Sequence, residues 1–155
     1  HITPEGRHFR HGDGSEVQEA WRMVWDKLAP MLSTSGLETL RTALAEDDET
    51  LLCGATTKPP PLACVQDWDC EGACFVGYAG WRGDGLKTVG QVEAYFAHVC
   101  NDLDTACGEA SACRYFLNHW DCDDPNYAGL TRERVRGELL PLVAAELDRR
   151  KAVAL

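Results

Sequence analysis

The sequence predicts an all-α protein, a compact bundle of about six or seven helices in one domain. Apolar residues recur at helical spacing in several segments, and three capping boxes begin such segments. The boxes start at Ser15, Ser35 and Thr88. A chain of 155 residues, 45% of them hydrophobic, can bury an ordinary core. We therefore expect the helices to pack around an apolar interior without help from a metal or disulfide.

The first helix is expected to follow a flexible arm. Residues 1–14 contain Gly, Pro and three His without periodicity, so we assign them to the arm and residues 15–155 to the domain. The first helix is predicted from Ser15 to about Leu32, and Pro30 can end it early. The arm therefore contributes little to the predicted core.

The second helix is predicted to begin at the Ser35 box. Residues 51–53 are expected to add one more turn after its acidic interruption, and Gly54 to close it. The Pro-rich stretch 55–62 is then predicted to be an extended connector.

The middle of the chain carries a cysteine-rich segment for which we predict a helix over residues 69–80, capped by Asp67 or Asp69. Its three Gly each cost about 1 kcal/mol relative to Ala, so this helix needs tertiary support. A short strand through residues 74–78 is the alternative.

The last part of the chain is expected to contain three further helical segments. They begin at Thr88, Ser111 and Thr131, and Pro141 lies inside the last one. Either that helix kinks at Pro141, or a new helix starts there.

The charge of the chain limits its partners. It has 25 acidic and 15 basic residues, a net charge of −10 and a pI near 4.8. Such a charge repels phosphate backbones and anionic membrane surfaces, so we expect neither nucleic-acid nor membrane binding. It is compatible with a basic protein partner. The oligomeric state is not predicted.

The eight cysteines are interpreted mainly as small apolar core residues. Cys100 and Cys107 are seven residues apart on one helical face, as core positions would be. Reduced thiols favour a cytoplasmic protein. If His1 is instead a mature N-terminus, the protein is secreted, and the His1 amine and imidazole could chelate copper.

Metal binding and catalysis are the alternatives. A zinc site would use the pair Cys70 and Cys74, with Cys64 as a third ligand. Either His98 and Cys100, or His119 and Cys122, could complete the ligand set. No known zinc-finger spacing is present, so the main expectation is no cofactor, with zinc as the alternative. An enzyme with a Cys–His nucleophile pair is the second alternative, but the number of Cys and His residues leaves the pair open.

Tryptophans in loops predict a binding surface. Trp68 and Trp81 flank the Gly-rich segment, and Trp120 precedes an acidic loop. Large aromatic residues often anchor protein interfaces. We therefore predict a non-enzymatic, acidic interaction or accessory protein, whose surface is formed by Trp68, Trp81, Arg82, Asp84, Trp120 and Asp123.

Three stretches resemble a family of small acidic bacterial proteins of planctomycete type. They read PPPLACVQDW, GWRGDGLKTVGQVEAYF and CRYFLNHWDCDDP, and the resemblance covers roughly residues 37–150. The third departs from the family pattern, because His119 is inserted before Trp120. The resemblance implies a bacterial, cytoplasmic protein and brings no activity or catalytic residues with it.

Overall fold

The computed structural model describes residues 22–52, 55–108 and 132–154, and this part of the chain is mostly helical. The all-α class is therefore confirmed. The described residues form five α-helices, fewer than the six or seven predicted. The arm 1–14 and the segment that begins at Ser111 lie outside the described residues. The helices are α1 (described over 22–28), α2 (Thr34–Glu46), α3 (Phe75–Tyr78), α4 (Val89–Cys107) and α5 (Arg132–Ala154).

The first helix ends where the sequence allows it to end. After α1 the chain tightens into a 3₁₀ turn, Ala29–Met31, with Pro30 at its start. Proline has no N–H to donate to the preceding turn, which explains the early end. Trp25 of α1 is buried against Phe75 of α3, with ring centroids 6.1 Å apart at 72°. The first helix thus closes one side of the core.

Helix α2 begins earlier than its predicted box. Ser33 is the N-cap, and its hydroxyl accepts a hydrogen bond from Gly36 N at 2.8 Å. The predicted cap, Ser35, instead donates to the carbonyl of Gly83 at 2.6 Å. The helix ends at Glu46, and its C-cap residue, Asp47, has a left-handed φ of 53°. A long-range contact therefore decided which serine caps the helix.

Helix α2 is the centre of the core, packed mainly against α5 and the turn that follows α3. Its stripe of Leu37, Leu40, Ala43 and Leu44 is buried. Two arginines of α5 hydrogen-bond to backbone carbonyls of neighbouring segments. Arg136 Nε donates to Leu44 O of α2 at 2.8 Å, and an Arg150 nitrogen donates to Ala29 O of the 3₁₀ turn at 2.9 Å. Helix α5 continues through Pro141, and its buried residues include Leu139, Val143 and Leu147.

The prediction of an extra helical turn at residues 51–53 is wrong for residues 51 and 52, the two that the structure describes. Leu51 forms a parallel bridge with Ala73, and Leu52 N donates to Ala73 O at 2.8 Å. A short antiparallel pair, β1 (Thr57–Lys58) and β2 (Gly72–Ala73), lies beside it, with Thr57 opposite Ala73 and Lys58 opposite Gly72. The chain is extended here because its backbone groups bond to distant segments.

The helix predicted over 69–80 is wrong in its first half. Cys70 N donates to Lys87 O at 2.8 Å, and Glu71 N donates to Lys58 O at 2.7 Å. These bonds replace helical ones and hold residues 69–73 extended. Helix α3 begins only at Phe75 and passes into a π-helical turn, Ala79–Gly83, which we call the π turn.

Glycines let the π turn approach its neighbours. A Cβ added at Gly83 would lie 2.3 Å from Gly36 Cα, so the backbones of the π turn and α2 are in direct contact. A Cβ added at Gly80 would lie 2.6 Å from the Tyr95 ring. Only a residue without a side chain fits such contacts.

Helix α4 is the element that the sequence predicted best. Thr88 and Gln91 form the expected capping box, and Gly108 closes the helix with a φ of 65°. Its buried residues are Val89, Val92, Val99 and Leu103.

Candidate functional site

The Trp68 loop, residues 62–69, presents large apolar side chains to solvent. Trp68 and Leu62 are each 59% exposed. Burying an aromatic side chain stabilises the folded protein, because it removes a large apolar area from water. A side chain that is this exposed contributes little of that stabilisation. Trp68 therefore meets the prediction of an exposed tryptophan in this loop.

The main chain of the Trp68 loop is held by the start of α4. Val89 N donates to Trp68 O at 2.9 Å, and Gly90 N donates to Gln66 O at 2.9 Å. The first N–H groups of a helix have no partner within the helix, so these carbonyls satisfy them. A Cβ added at Gly90 would lie 3.1 Å from the backbone carbonyl oxygen of Gln66, so the glycine allows this close approach. The backbone of the loop is thus fixed while its tryptophan side chain faces water.

Carboxylates flank the exposed tryptophan. Asp67, Asp69 and Glu71 are all exposed. Two lysines, Lys58 and Lys87, lie nearby through backbone hydrogen bonds to Glu71 and Cys70. The chain near Trp68 therefore carries more negative than positive charge, in line with the whole protein.

The π turn carries two of the predicted surface residues, Trp81 and Arg82, and a third, Asp84, follows it directly. Trp81 is half-buried and meets Tyr78 edge-on, with ring centroids 5.7 Å apart at 88°. Arg82 is exposed, and its guanidinium carbon lies 4.4 Å from the Trp81 ring centroid. Asp84 is exposed and accepts a hydrogen bond from the Ser33 hydroxyl. Trp81 is thus more a support for Arg82 than an exposed anchor.

A groove of about 370 Å³ lies between α2 and the π turn. We call it the hydroxyl groove, because four of its six lining residues carry hydroxyl groups. Sequence reasoning found Arg82 but missed the rest. The helical spacing of Ser35, Glu38, Thr39 and Thr42 was the available signal, since these positions share one face of a helix. The lining residues are Ser35, Glu38, Thr39, Thr42, Tyr78 and Arg82.

Tyr78 connects the groove to the end of α2. Its hydroxyl donates to Asp48 Oδ2 at 2.9 Å, while Thr50 donates to Asp48 Oδ1 through N at 2.9 Å and Oγ1 at 2.8 Å. The backbone hydrogen bond from Thr50 is the main reason that the pKa of Asp48 is lowered. Burial, followed by the Asp48 carboxylate, raises the pKa of Tyr78. Arg82 opposes that rise and also favours the ionised form of Asp48.

Cys64, Cys70 and Cys74 of the predicted zinc site do not form a group of three ligands. Cys64 is exposed on the Trp68 loop, whereas Cys70 and Cys74 are buried. In the part of the chain that the structure describes, no three His, Cys, Asp or Glu side chains are grouped to hold a metal. His119 and Cys122 lie outside the described residues, as do Trp120 and Asp123. A zinc site that includes them stays a prediction.

The buried cysteines are poor nucleophiles. Burial raises the pKa of Cys70, and it raises the pKa of Cys74 from 9.0 to about 11. The reactive form of cysteine is the thiolate, which these sites disfavour. His98 Nε2 lies 3.2 Å from Asp102 Oδ2 on an exposed face of α4. Within the described ranges, no cysteine is hydrogen-bonded to His98, so they supply no Cys–His pair.

Cys100 departs from the prediction of reduced core cysteines, because it is disulfide-bonded. Cys64, Cys70 and Cys74 are not. Cys70 and Cys74 do serve as buried, small side chains, as predicted. The cysteines therefore have at least two different roles.

No protein-family model matches the chain, and neither a curated protein nor a solved structure is similar to it. The resemblance to small bacterial proteins stays a prediction. Across the described residues, no helix is both long enough and apolar enough to span a membrane.

Proposed function

We propose that this protein binds another protein through the Trp68 loop, and that the bound surface of the partner is basic. The observation that carries the proposal is the exposure of Trp68, 59%, on a loop whose backbone is fixed by α4. Tryptophan is enriched among the residues that dominate interface energetics. A fixed backbone lowers the entropy cost of binding.

The basic character of the partner follows from charge. Asp67, Asp69 and Glu71 are exposed next to Trp68, and the chain as a whole has a net charge of −10. Complementary charge speeds encounter and disfavours partners of the same sign. A Lys or Arg side chain can also lie on an indole face, which adds a cation–π contact. Acidic proteins and nucleic acids would be repelled.

A defined peptide panel tests this proposal. Peptides that pair Lys or Arg with aliphatic residues are titrated into the protein, with acidic peptides of the same aliphatic pattern as the comparison. We expect the basic set to shift the backbone amide resonances of the Trp68 loop, and binding to weaken as salt rises. Equal binding of the acidic set, or no shift in this loop, would overturn the proposal.

Variants distinguish specific binding at the Trp68 loop from nonspecific hydrophobic binding. Trp68→Ala is expected to weaken binding by about thirtyfold, which corresponds to a hot spot of about 2 kcal/mol. Met23→Ala is the matched control, because Met23 is another exposed hydrophobic residue, 52% exposed, on α1. It is expected to bind like the wild type. An equal loss in both variants would contradict a site at Trp68.

We also infer an oxidising compartment, which favours the secreted alternative over the cytoplasmic one. The disulfide at Cys100 supports this inference, since disulfides persist mainly outside the cytosol. Alkylation and mass spectrometry of protein purified under thiol-blocking conditions test it. Cys100 is expected to be alkylated only after reduction; modification of Cys100 without reductant would contradict the inference.

A further inference from the structure

The hydroxyl groups of the hydroxyl groove can offer a ligand hydrogen-bond acceptors rather than donors, because their protons are already used within the protein. All four hydroxyl groups donate to acceptors within the protein. What they offer to a ligand is therefore their oxygen lone pairs, so the hydroxyls of the groove act as acceptors. The four donations are Ser35 to Gly83 O, Thr39 to Gly36 O, Thr42 to Glu38 O and Tyr78 to Asp48 Oδ2.

Two opposite charges lie in the same groove. Glu38 adds a carboxylate to the row of acceptors, and Arg82 supplies a guanidinium with several N–H donors. Among the residues that the structure describes, neither side chain forms an ion pair, with the other or elsewhere. Arg82 is held in position by the Trp81 ring, 4.4 Å from its guanidinium carbon. Arg82 also donates a hydrogen bond to the Tyr78 hydroxyl, but a guanidinium has five N–H donors, so both charged groups still have atoms to offer a ligand.

From this arrangement we propose that the hydroxyl groove binds a small zwitterion that carries an ammonium and a carboxylate group, as an amino acid does. The ammonium faces Glu38 and the hydroxyl oxygens, and the carboxylate faces Arg82. An anion without an amine would meet the Glu38 charge and a row of acceptors. A cation without an acid would be repelled by Arg82.

The size of the groove agrees with such a ligand. Its volume of about 370 Å³ is at the small end of ligand-binding sites. Arg82 and Glu38 are both exposed, so water screens their charges, and binding is expected in the millimolar range. The π turn adds an independent indication, because single π turns are rare and occur often at functional sites.

The proposal is tested with ligands that differ only in their charged groups. Glycine, β-alanine and γ-aminobutyrate vary the distance between the amine and the acid, while butyrate and butylamine each lack one group. Binding is followed by the amide resonances of Thr39, Thr42 and Arg82. At least one zwitterion is expected to bind about tenfold more tightly than butyrate or butylamine, since each charged hydrogen bond contributes on that scale.

Variants assign the two ends of the ligand. Arg82→Gln is expected to abolish the preference for the zwitterion over butylamine, and Glu38→Gln the preference over butyrate. Lys87→Gln and Glu46→Gln are the controls, because both residues are exposed and outside the groove. They are expected to bind like the wild type.

Three outcomes would overturn the proposal. The first is that no member of the panel shifts the groove resonances at millimolar concentration. The second is that butyrate or butylamine binds as well as every zwitterion. The third is that the control variants lose binding as much as Arg82→Gln and Glu38→Gln. None of these outcomes bears on peptide binding at the Trp68 loop, so the two proposals fail or succeed separately.

Discussion

The Trp68 loop and the π turn each carry a tryptophan, but they hold it in opposite ways. Trp68 is held by backbone hydrogen bonds, and its side chain is mostly exposed to solvent. Trp81 is half-buried and packs between Tyr78 and Arg82. The stability cost of a substitution therefore depends on whether the fold relies on the backbone or on the side chain of that residue. The π turn should therefore govern stability, and the Trp68 side chain should govern binding.

The largest effect is expected where the π turn meets α2. Gly83→Ala places a Cβ 2.3 Å from Gly36 Cα, so one backbone has to move. We expect a loss of about 3 kcal/mol in the free energy of unfolding, at the upper end for overpacking. Chemical denaturation measures it.

The matched control for Gly83→Ala is Gly137→Ala. Gly137 is in α5, and an added Cβ has nothing within 4 Å. Because alanine favours a helix, this variant should gain up to about 1 kcal/mol. A similar loss of unfolding free energy in the two variants would show that the contact with Gly36 is not the cause of the loss in Gly83→Ala.

The second prediction compares the two tryptophans directly. Trp81→Ala removes a half-buried ring and its contact with Tyr78, so we expect a loss of about 2 kcal/mol in the free energy of unfolding. Trp68→Ala should change that free energy by no more than about 0.5 kcal/mol, since its side chain is mostly exposed. Urea titrations of both variants check this; a greater loss for Trp68→Ala would reverse the comparison.

The third prediction concerns alkaline pH around the π turn. Burial raises the pKa of Cys74 from 9.0 to about 11 and, aided by Asp84, raises that of Tyr95 from 10.0 to about 12. A pKa raised by folding means that the folded protein holds its proton more tightly than the unfolded one. Stability is thus complete below pH 9 and falls as the pH rises through 11 and toward 12, first through Cys74 and then through Tyr95.

Thermal unfolding between pH 8 and 12 measures this fall. Tyr95→Phe has no phenol to ionise, so its fall should be smaller than that of the wild type. A pH profile of Tyr95→Phe that matches the wild type would remove Tyr95 from the explanation.

A smaller loss than at Gly83 or Trp81 is expected at the hydrogen bond beneath the groove. Tyr78→Phe removes the donor to Asp48 but leaves two donations from Thr50, so the carboxylate stays paired. We expect a loss of about 1 kcal/mol in the free energy of unfolding. No change in denaturation midpoint would mean that water replaces the Tyr78 hydroxyl at no cost.

Prediction from the sequence succeeded where local signals decide the structure. Helix α4 follows from its capping box and its apolar spacing, and Trp68 was correctly expected to be exposed. The prediction failed at Ser35, because Gly83, which is distant in sequence, takes its hydroxyl. It failed again at residues 69–73, whose backbone partners are Lys87, Lys58 and Thr50.

The candidate sites divide in the same way. Trp68 was chosen from its residue type and its polar neighbours, which are visible in the sequence. The hydroxyl groove was not predicted, since it exists only because Gly36 and Gly83 bring α2 and the π turn into contact. The sequence by itself determined the helical class and the caps of α4, because these depend on residues close together in the chain. It also determined the acidic charge, which depends on composition alone. Only the tertiary structure decided which cysteines are buried and which charges share a groove, because those depend on contacts between distant segments.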